Sequence, residues 1–318
     1  MFDCHYDLLT YIFMNKDNLE KVRRHFKKIF EGNITGGIFN LFYMSPREMK
    51  EELNIDIDEI DIINNLKVVN KIIKEEKIVP DDVEYIYGIE GLDYLKRIDD
   101  IDKLYDLGLR STNIVWNNDN KFGGGAKGDI NKGLTPLGIE LIKKLVDKRI
   151  AIDVSHMNDK TFYDVIDICN ILKLNGKEPV VFASHSNARG VCNVKRNLSD
   201  DQIIKIKELG GIIGIVSVKP FCIKEDNFNK DYNKYATAYL EHINYIKSLL
   251  GGIDNIAVSS DDMTYYESNI EYYRYFNVFK QENMKKNLEE LLFNNGFSNT
   301  DIEKILYMNF KNKILQRF

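Results

Sequence analysis

Cysteine, proline, histidine and tryptophan are all scarce in this chain: four, five, five and one residues out of 318. Cys4, Cys169, Cys192 and Cys222 are too few and too scattered for a disulfide scaffold, and no pair has Cys-x-x-Cys spacing. They read as structural thiols, Cys169 on an apolar helix face. Long apolar runs are missing too. The most apolar stretch, residues 210–218, is strand-sized, well short of the ~18 residues that cross a bilayer. The start Met1-Phe2-Asp3-Cys4-His5-Tyr6-Asp7 brings polar residues at once, unlike a secretory signal. A cytoplasmic protein with no membrane role is expected. Basic charge is not in excess: 44 Lys and Arg against 49 Asp and Glu leave −5, with a pI near 5.7. Such a surface has no global attraction for nucleic acid. A phosphate cradle is lacking as well, since Gly123-Gly124-Gly125 has no following Lys-Ser/Thr and does not lead from strand to helix.

What remains is the balance of a soluble globular protein, 44% hydrophobic and 29% charged. Short β-branched or aromatic runs recur at 2–6, 37–43, 83–89, 110–116, 150–154, 179–183, 211–218 and 255–259. Between them the apolar period lengthens to three and four, as in Leu19, Val22, Phe26, Ile29 and Phe30. That spacing makes the basic stretch at 21–28 the solvated side of a helix rather than a nucleic-acid patch. Thr135-Pro136 reads as an N-cap with Pro in the first turn, Ser199-Asp200-Asp201-Gln202 as a capping box, and Gly210 as a stop. Eight strands alternating with helices predict an α/β fold, a TIM-like (β/α)₈ barrel. Residues 45–80 exceed one barrel helix, so the expectation is a single domain, 1–318, with a small helical insertion there.

Polar residues gather just after the strand runs. His5 and Asp7 follow the first, Glu90 the third, His156 the fifth, His185 the sixth and Asp261 the eighth. Strand ends of a closed barrel converge on one rim, where barrel enzymes place their sites. Three imidazoles with two or more carboxylates suit one or two zinc-like ions. Unrelated polar residues capping strands are the alternative.

Several runs are more specific: Asp3-Cys4-His5-Tyr6-Asp7, Gly88-Ile89-Glu90-Gly91, Gly133-Leu134-Thr135-Pro136-Leu137-Gly138, Ala183-Ser184-His185-Ser186-Asn187-Ala188-Arg189 and Arg196-Asn197-Leu198-Ser199-Asp200-Asp201. In these the chain resembles the renal (membrane) dipeptidase-like zinc peptidases, amidohydrolase-type barrels. The resemblance implies two divalent ions, Zn²⁺ first, one held by His5 and Asp7 and the other by His156 and His185, with Glu90 bridging. It implies a dipeptide substrate cleaved by a metal-bridging hydroxide, Asp261 as the acid–base residue, Arg196 on the free carboxylate, and a homodimer. Arg196 paired with Asp200 or Asp201 at the surface is the alternative for that residue. Trp116, beside Asn117, stands where family members such as the renal enzyme carry a His, and both residues are assigned to substrate binding. Ser259-Ser260-Asp261-Asp262-Met263-Thr264 replaces the family's Gly-Ser-Asp-Phe-Asp-Gly. Tyr265, Tyr266, Tyr272, Tyr273 and Tyr275 are open to three roles: pocket wall, subunit contact or ordinary packing. Rival functions are a related metal amidohydrolase acting on a cyclic amide, N-acyl amino acid or lactone, and a catalytically silent member of the fold.

Overall fold

Eight parallel strands carry the chain in a computed structural model that describes residues 1–53, 60–225, 231–262 and 277–318. They are β1 (Phe2–Tyr6), β2 (Gly36–Phe42), β3 (Glu84–Glu90), β4 (Leu109–Asn113), β5 (Ala151–Asp153), β6 (Val181–Phe182), β7 (Ile213–Val216) and β8 (Ile256–Ser259). Strands β1 to β6 pair in order as one sheet, and β7 pairs with β8. The expected single ladder of eight is thus divided in two. The reason is local: β6 keeps two residues because Asp153 Oδ1 takes the Ser184 N–H at 2.9 Å. A lone parallel bridge, Ala183 to Ile213, follows. Strand β4 ends earlier than its apolar run, since the Asn120 side chain takes the Ile114 carbonyl at 2.8 Å.

The sheet is curled. Phe2 and Cys4 of β1, Ile38 of β2, Ile86 of β3, Ala151 of β5, Phe182 of β6 and Ala257 of β8 join in one apolar cluster, plugged by Phe310 and Ile314. A flat sheet would hold its first and last strands too far apart for that. A second, larger cluster fills the space between the strands and the helices. Burial on both faces is what near-continuous apolar strands require.

Helix boundaries follow side-chain capping. Thr135 Oγ1 accepts from Gly138 N at 3.1 Å, Ser199 and Gln202 close a reciprocal box, and Gly210 turns the chain at φ 79°. Along helix Leu19–Glu31, Val22, Phe26 and Ile29 are buried while Arg23, Arg24, Lys27 and Lys28 face solvent. Helices Pro46–Leu53 and Ile62–Glu76 lie between β2 and β3, the second burying Leu66, Val69 and Ile73. All four cysteines are buried free thiols. No helix of the described residues is long and apolar enough to cross a membrane.

Candidate metal centre

The carboxyl ends of β1, β3, β5, β6 and β8 bring six of the expected residues together. His5 lies near the end of β1, Asp7 just beyond it, Glu90 ends β3, and His156, His185 and Asp261 lie two or three residues past β5, β6 and β8. Glu90 is central: its Oε2 is 3.2 Å from His5 Nε2, and its Oε1 is 2.9 Å from His156 Nε2 and 3.2 Å from His185 Nε2. His5 Nε2 also lies 3.5 Å from Asp7 Oδ1 and 4.0 Å from Asp261 Oδ1. His156 and Asp261 adopt left-handed backbone, φ 71° and 47°, which costs a non-glycine residue about 1–3 kcal/mol. Backbone bonds hold both, from Ala126 N to His156 O at 2.8 Å and from Asp261 N to His5 O at 3.2 Å.

Each imidazole is gripped by its other ring nitrogen. Asn117 Oδ1 accepts from His156 Nδ1 at 3.1 Å, the Asn40 amide nitrogen lies 3.1 Å from His5 Nδ1, and Ser184 Oγ contacts His185 Nδ1. The Nε2 atoms are thereby aimed inward, those of His156 and His185 only 2.8 Å apart. His5 Nε2 and Glu90 Oε1 are buried without a hydrogen-bond partner among the described residues. Nitrogen and oxygen donors crowded at 2.9–3.2 Å without hydrogen-bond alignment fit cations placed between them.

Protonation points the same way. Burial, then the charges of Arg196 and His5, holds His156 well below the usual imidazole range. Burial, then His5 and His156, does the same to His185. Burial alone would lower His5, but Glu90 and Asp7 outweigh it and raise it well above its ordinary value. Burial pushes Glu90 up to about 7, against the pull of His5. Two neutral imidazoles, with a His5–Glu90 pair holding protons that a divalent cation would displace, make a fitting donor set for metal. The groups His5–Asp7–Asp261 and Glu90–His156–His185 each gather three ligand atoms within 4.8 Å of one another.

Arg196 is half-buried beside this cluster. Its Nη2 donates to His185 O at 3.3 Å, its guanidinium lies 5.1 Å from the Phe221 ring centre, and its Nε has no partner among the described residues. The surface alternative fails, because Asp200 accepts from Tyr245 at 2.9 Å and Asp201 pairs with Lys205. Trp116 packs 4.8 Å from Phe42 and 5.8 Å from His156, between ring centres. Asn117, assigned to substrate from sequence, has its Oδ1 on Nδ1 of His156. Gly125 explains part of the glycine triplet: a Cβ there would lie 2.4 Å from Trp116 O, so only glycine lets this loop pack against the Trp116–Asn118 turn. His25 bonds Tyr6, and His242 bridges two backbone segments. The five tyrosines from Tyr265 to Tyr275 lie outside the described residues.

Sequence reasoning missed the layer behind the imidazoles: Asp3, Asn40, Asp153, Ser184 and Ser260, all buried. A signal was present. Asp3 and Asp153 are single acids inside apolar strands, and a buried charge demands partners. Both find the same three: Asp3 accepts from His5 N, Ser260 N and Ser260 Oγ, Asp153 from Ser155 N, Ser184 N and Ser184 Oγ.

Comparison with known proteins agrees with this geometry. The sequence profile of the membrane dipeptidase family, peptidase family M19, matches residues 1–316. An uncharacterized protein in the pqqA 5′ region of Klebsiella pneumoniae is 35% identical over 194 residues, 59% of this chain and 66% of that protein. The chain therefore spans just under two thirds of that relative's length. An uncharacterized protein in the PQQ-III 3′ region of Acinetobacter calcoaceticus is 28% identical over 289 residues, 77% of this chain and 88% of that protein. Among solved structures, a metallopeptidase from Rhodobacter sphaeroides, liganded with a phosphinate mimic of the dipeptide L-Ala-D-Ala, shares the fold. Its TM-score is 0.76 at 21% identity, covering 100% of this chain and 99% of that one.

Proposed function

The chain belongs to the membrane dipeptidase family, peptidase family M19, and on that premise we propose that it is a zinc-dependent dipeptidase working at the His5–Asp7–Glu90–His156–His185 cluster. The observation that carries this reading is the meeting of buried imidazole and carboxylate atoms at 2.9–3.2 Å without hydrogen-bond alignment. His5 and Asp7 would hold one cation and His156 and His185 the other, and Glu90 lies between with one oxygen toward His5 and one toward His156 and His185. Bound divalent ions would supply Lewis acidity and lower the pKa of a water.

The protein's own groups do the rest. Asp261, its side chain 16% exposed at the edge of the cluster, takes the nucleophile's proton and returns it to the leaving amine. Arg196 receives the free carboxylate of the peptide, for which its planar fork is suited. Trp116 walls the site beside His156 and Phe42, and its indole has one N–H to offer in place of the family's imidazole. The dipeptide mimic held by the Rhodobacter sphaeroides protein supports this substrate class. The supporting frame is read as one closed (β/α)₈ domain in which helices Pro46–Leu53 and Ile62–Glu76 are an insertion. The Ala183–Ile213 bridge and the bonds from Ser260 and Asp261, just after β8, to Asp3 and His5 support closure at the two seams.

The test is elemental analysis after zinc loading, alongside hydrolysis of a panel of L,L and L,D dipeptides. Close to two ions per chain and turnover of free dipeptides are expected. Absence of bound zinc, or a fully loaded protein inert toward the whole panel, would overturn the reading.

A further inference from the structure

Ser184 occupies an unusual place, between a carboxylate and two imidazoles. Asp153 Oδ1 accepts from Ser155 N at 3.0 Å and Ser184 N at 2.9 Å, and Asp153 Oδ2 accepts from the Ser184 hydroxyl. That hydroxyl has one proton, and the carboxylate takes it. Its lone pairs are left for the two ring nitrogens it touches, His185 Nδ1 and, at 3.3 Å, His5 Nδ1. An oxygen whose proton is committed elsewhere can only accept from those nitrogens. His185 must then carry hydrogen on Nδ1 and turn a bare Nε2 lone pair toward Glu90, the form that binds metal. His5 Nδ1 faces the Asn40 amide nitrogen at 3.1 Å as well as the Ser184 hydroxyl; the first is a donor, so the hydroxyl is the acceptor there that an Nδ1–H can use when Nε2 binds a cation.

We propose that Ser184, oriented by Asp153, is a positioning residue shared by both halves of the metal centre, fixing the tautomer of His185 and supplying the acceptor that His5 Nδ1–H needs when Nε2 binds a cation. The inference rests on the reading of the cluster as a metal centre. Other back-side contacts serve one ring each: Asn40 meets only His5, and Asn117 only His156, among the imidazoles of the cluster. Ser184 reaches one imidazole from each side. Asp3 and Ser260 repeat the same clamp at the β1–β8 seam, where the serine touches no imidazole nitrogen among the described residues. The clamp therefore ties strands in both places, and at Ser184 it also orients metal-binding rings.

Zinc affinities measured by competition with a chromophoric chelator separate these roles. The wild type is compared with Ser184→Ala, Ser184→Thr, Asp153→Asn and Asn117→Ala, with melting of each metal-free protein as the folding control. Ser184→Ala should weaken both ions by about 10–100-fold, the usual effect of losing an outer partner. Ser184→Thr, which keeps the hydroxyl, should recover most of that loss. Asp153→Asn puts an N–H against Ser184 Oγ and frees the serine proton to face an imidazole, so it too should weaken both ions although Ser184 is intact. Asn117→Ala should weaken one ion only. If folded Ser184→Ala and Asp153→Asn keep wild-type affinity at either ion, the shared role is wrong while the metal centre stands. Should the wild type itself bind no zinc, both readings fall.

Discussion

A half-buried guanidinium beside a carboxylate cluster would ordinarily pair with it, yet no carboxylate of the described residues lies within ion-pair distance of Arg196. Its Nε is buried and without a partner among the described residues, a costly state that an incoming anion relieves. If that anion is the terminal carboxylate of a dipeptide, amidating the substrate should cost about 2–5 kcal/mol of transition-state binding. In kcat/KM this is roughly 30-fold to a few thousand-fold. Arg196→Lys should restore little, because a point charge cannot reproduce the bidentate fork. Steady-state kinetics on free and amidated forms of one dipeptide give the answer, and equal turnover would favour a cyclic-amide substrate. Single residues were the most legible scale of this site. His5, Asp7, Glu90, His156, His185 and Asp261 stand out because each polar residue breaks an apolar run at its end. The contact of Asn117 with His156 went unforeseen, and Ser184 and Asp153 were overlooked, because these groups meet partners 31 to 39 residues away; the 179-residue separation of Ser184 from His5 is harder still.

Elements were legible where their ends are set locally. The caps at Thr135 and Ser199 need only neighbours within four positions, whereas β6 shrinks to two residues because Asp153, on another strand, takes over its backbone. Helix Tyr232–Leu250 shows how one element braces the site without entering it. Its His242 accepts from Ala188 N at 3.1 Å and donates to Cys222 O at 3.0 Å, pinning the loop after His185 to the segment after β7. Burial lowers His242 from 6.5 to about 4. The unfolded chain therefore binds the proton more readily than the native one. The stability carried by neutral His242 is complete above pH 6.5 and is lost as pH falls toward about 4. Between about pH 8 and pH 5 this amounts to roughly 2 kcal/mol. Urea unfolding of wild type and His242→Gln at the two pH values should show their stability difference narrowing by about that much in acid. An unchanged difference would mean that His242 binds its proton equally well in the folded and unfolded chain, and that burial does not disfavour its charged form.

At the scale of the whole molecule, the curl of the sheet and its division in two were the least legible features. Eight strands could be counted from composition, but whether β8 meets β1 depends on Asp3 and Ser260, 257 positions apart. Folding brings Asp7, Glu90 and Asp261 together around His5, and burial, with the charges of Asp7 and Asp261 beside it, pushes Glu90 up to about 7 against the pull of His5. Gathering these groups works against the fold until something positive lies among them. A ligand bound only by the native state adds RT ln(1 + [L]/Kd), about 4 kcal/mol per ion when its free concentration is 1,000 times its Kd. For a chain of 318 residues, two such ions should raise the melting temperature by on the order of 10 °C. Calorimetry of zinc-loaded and chelator-treated protein should show that gap, and returning zinc should close it. Glu90→Ala, which removes the oxygens between the two halves, should show a smaller gap and a higher metal-free melting temperature than the same mutation of an isolated surface glutamate would give. Wild-type protein melting at one temperature with and without chelator would mean that the cluster is stable without cations, and the metal centre would have to be abandoned.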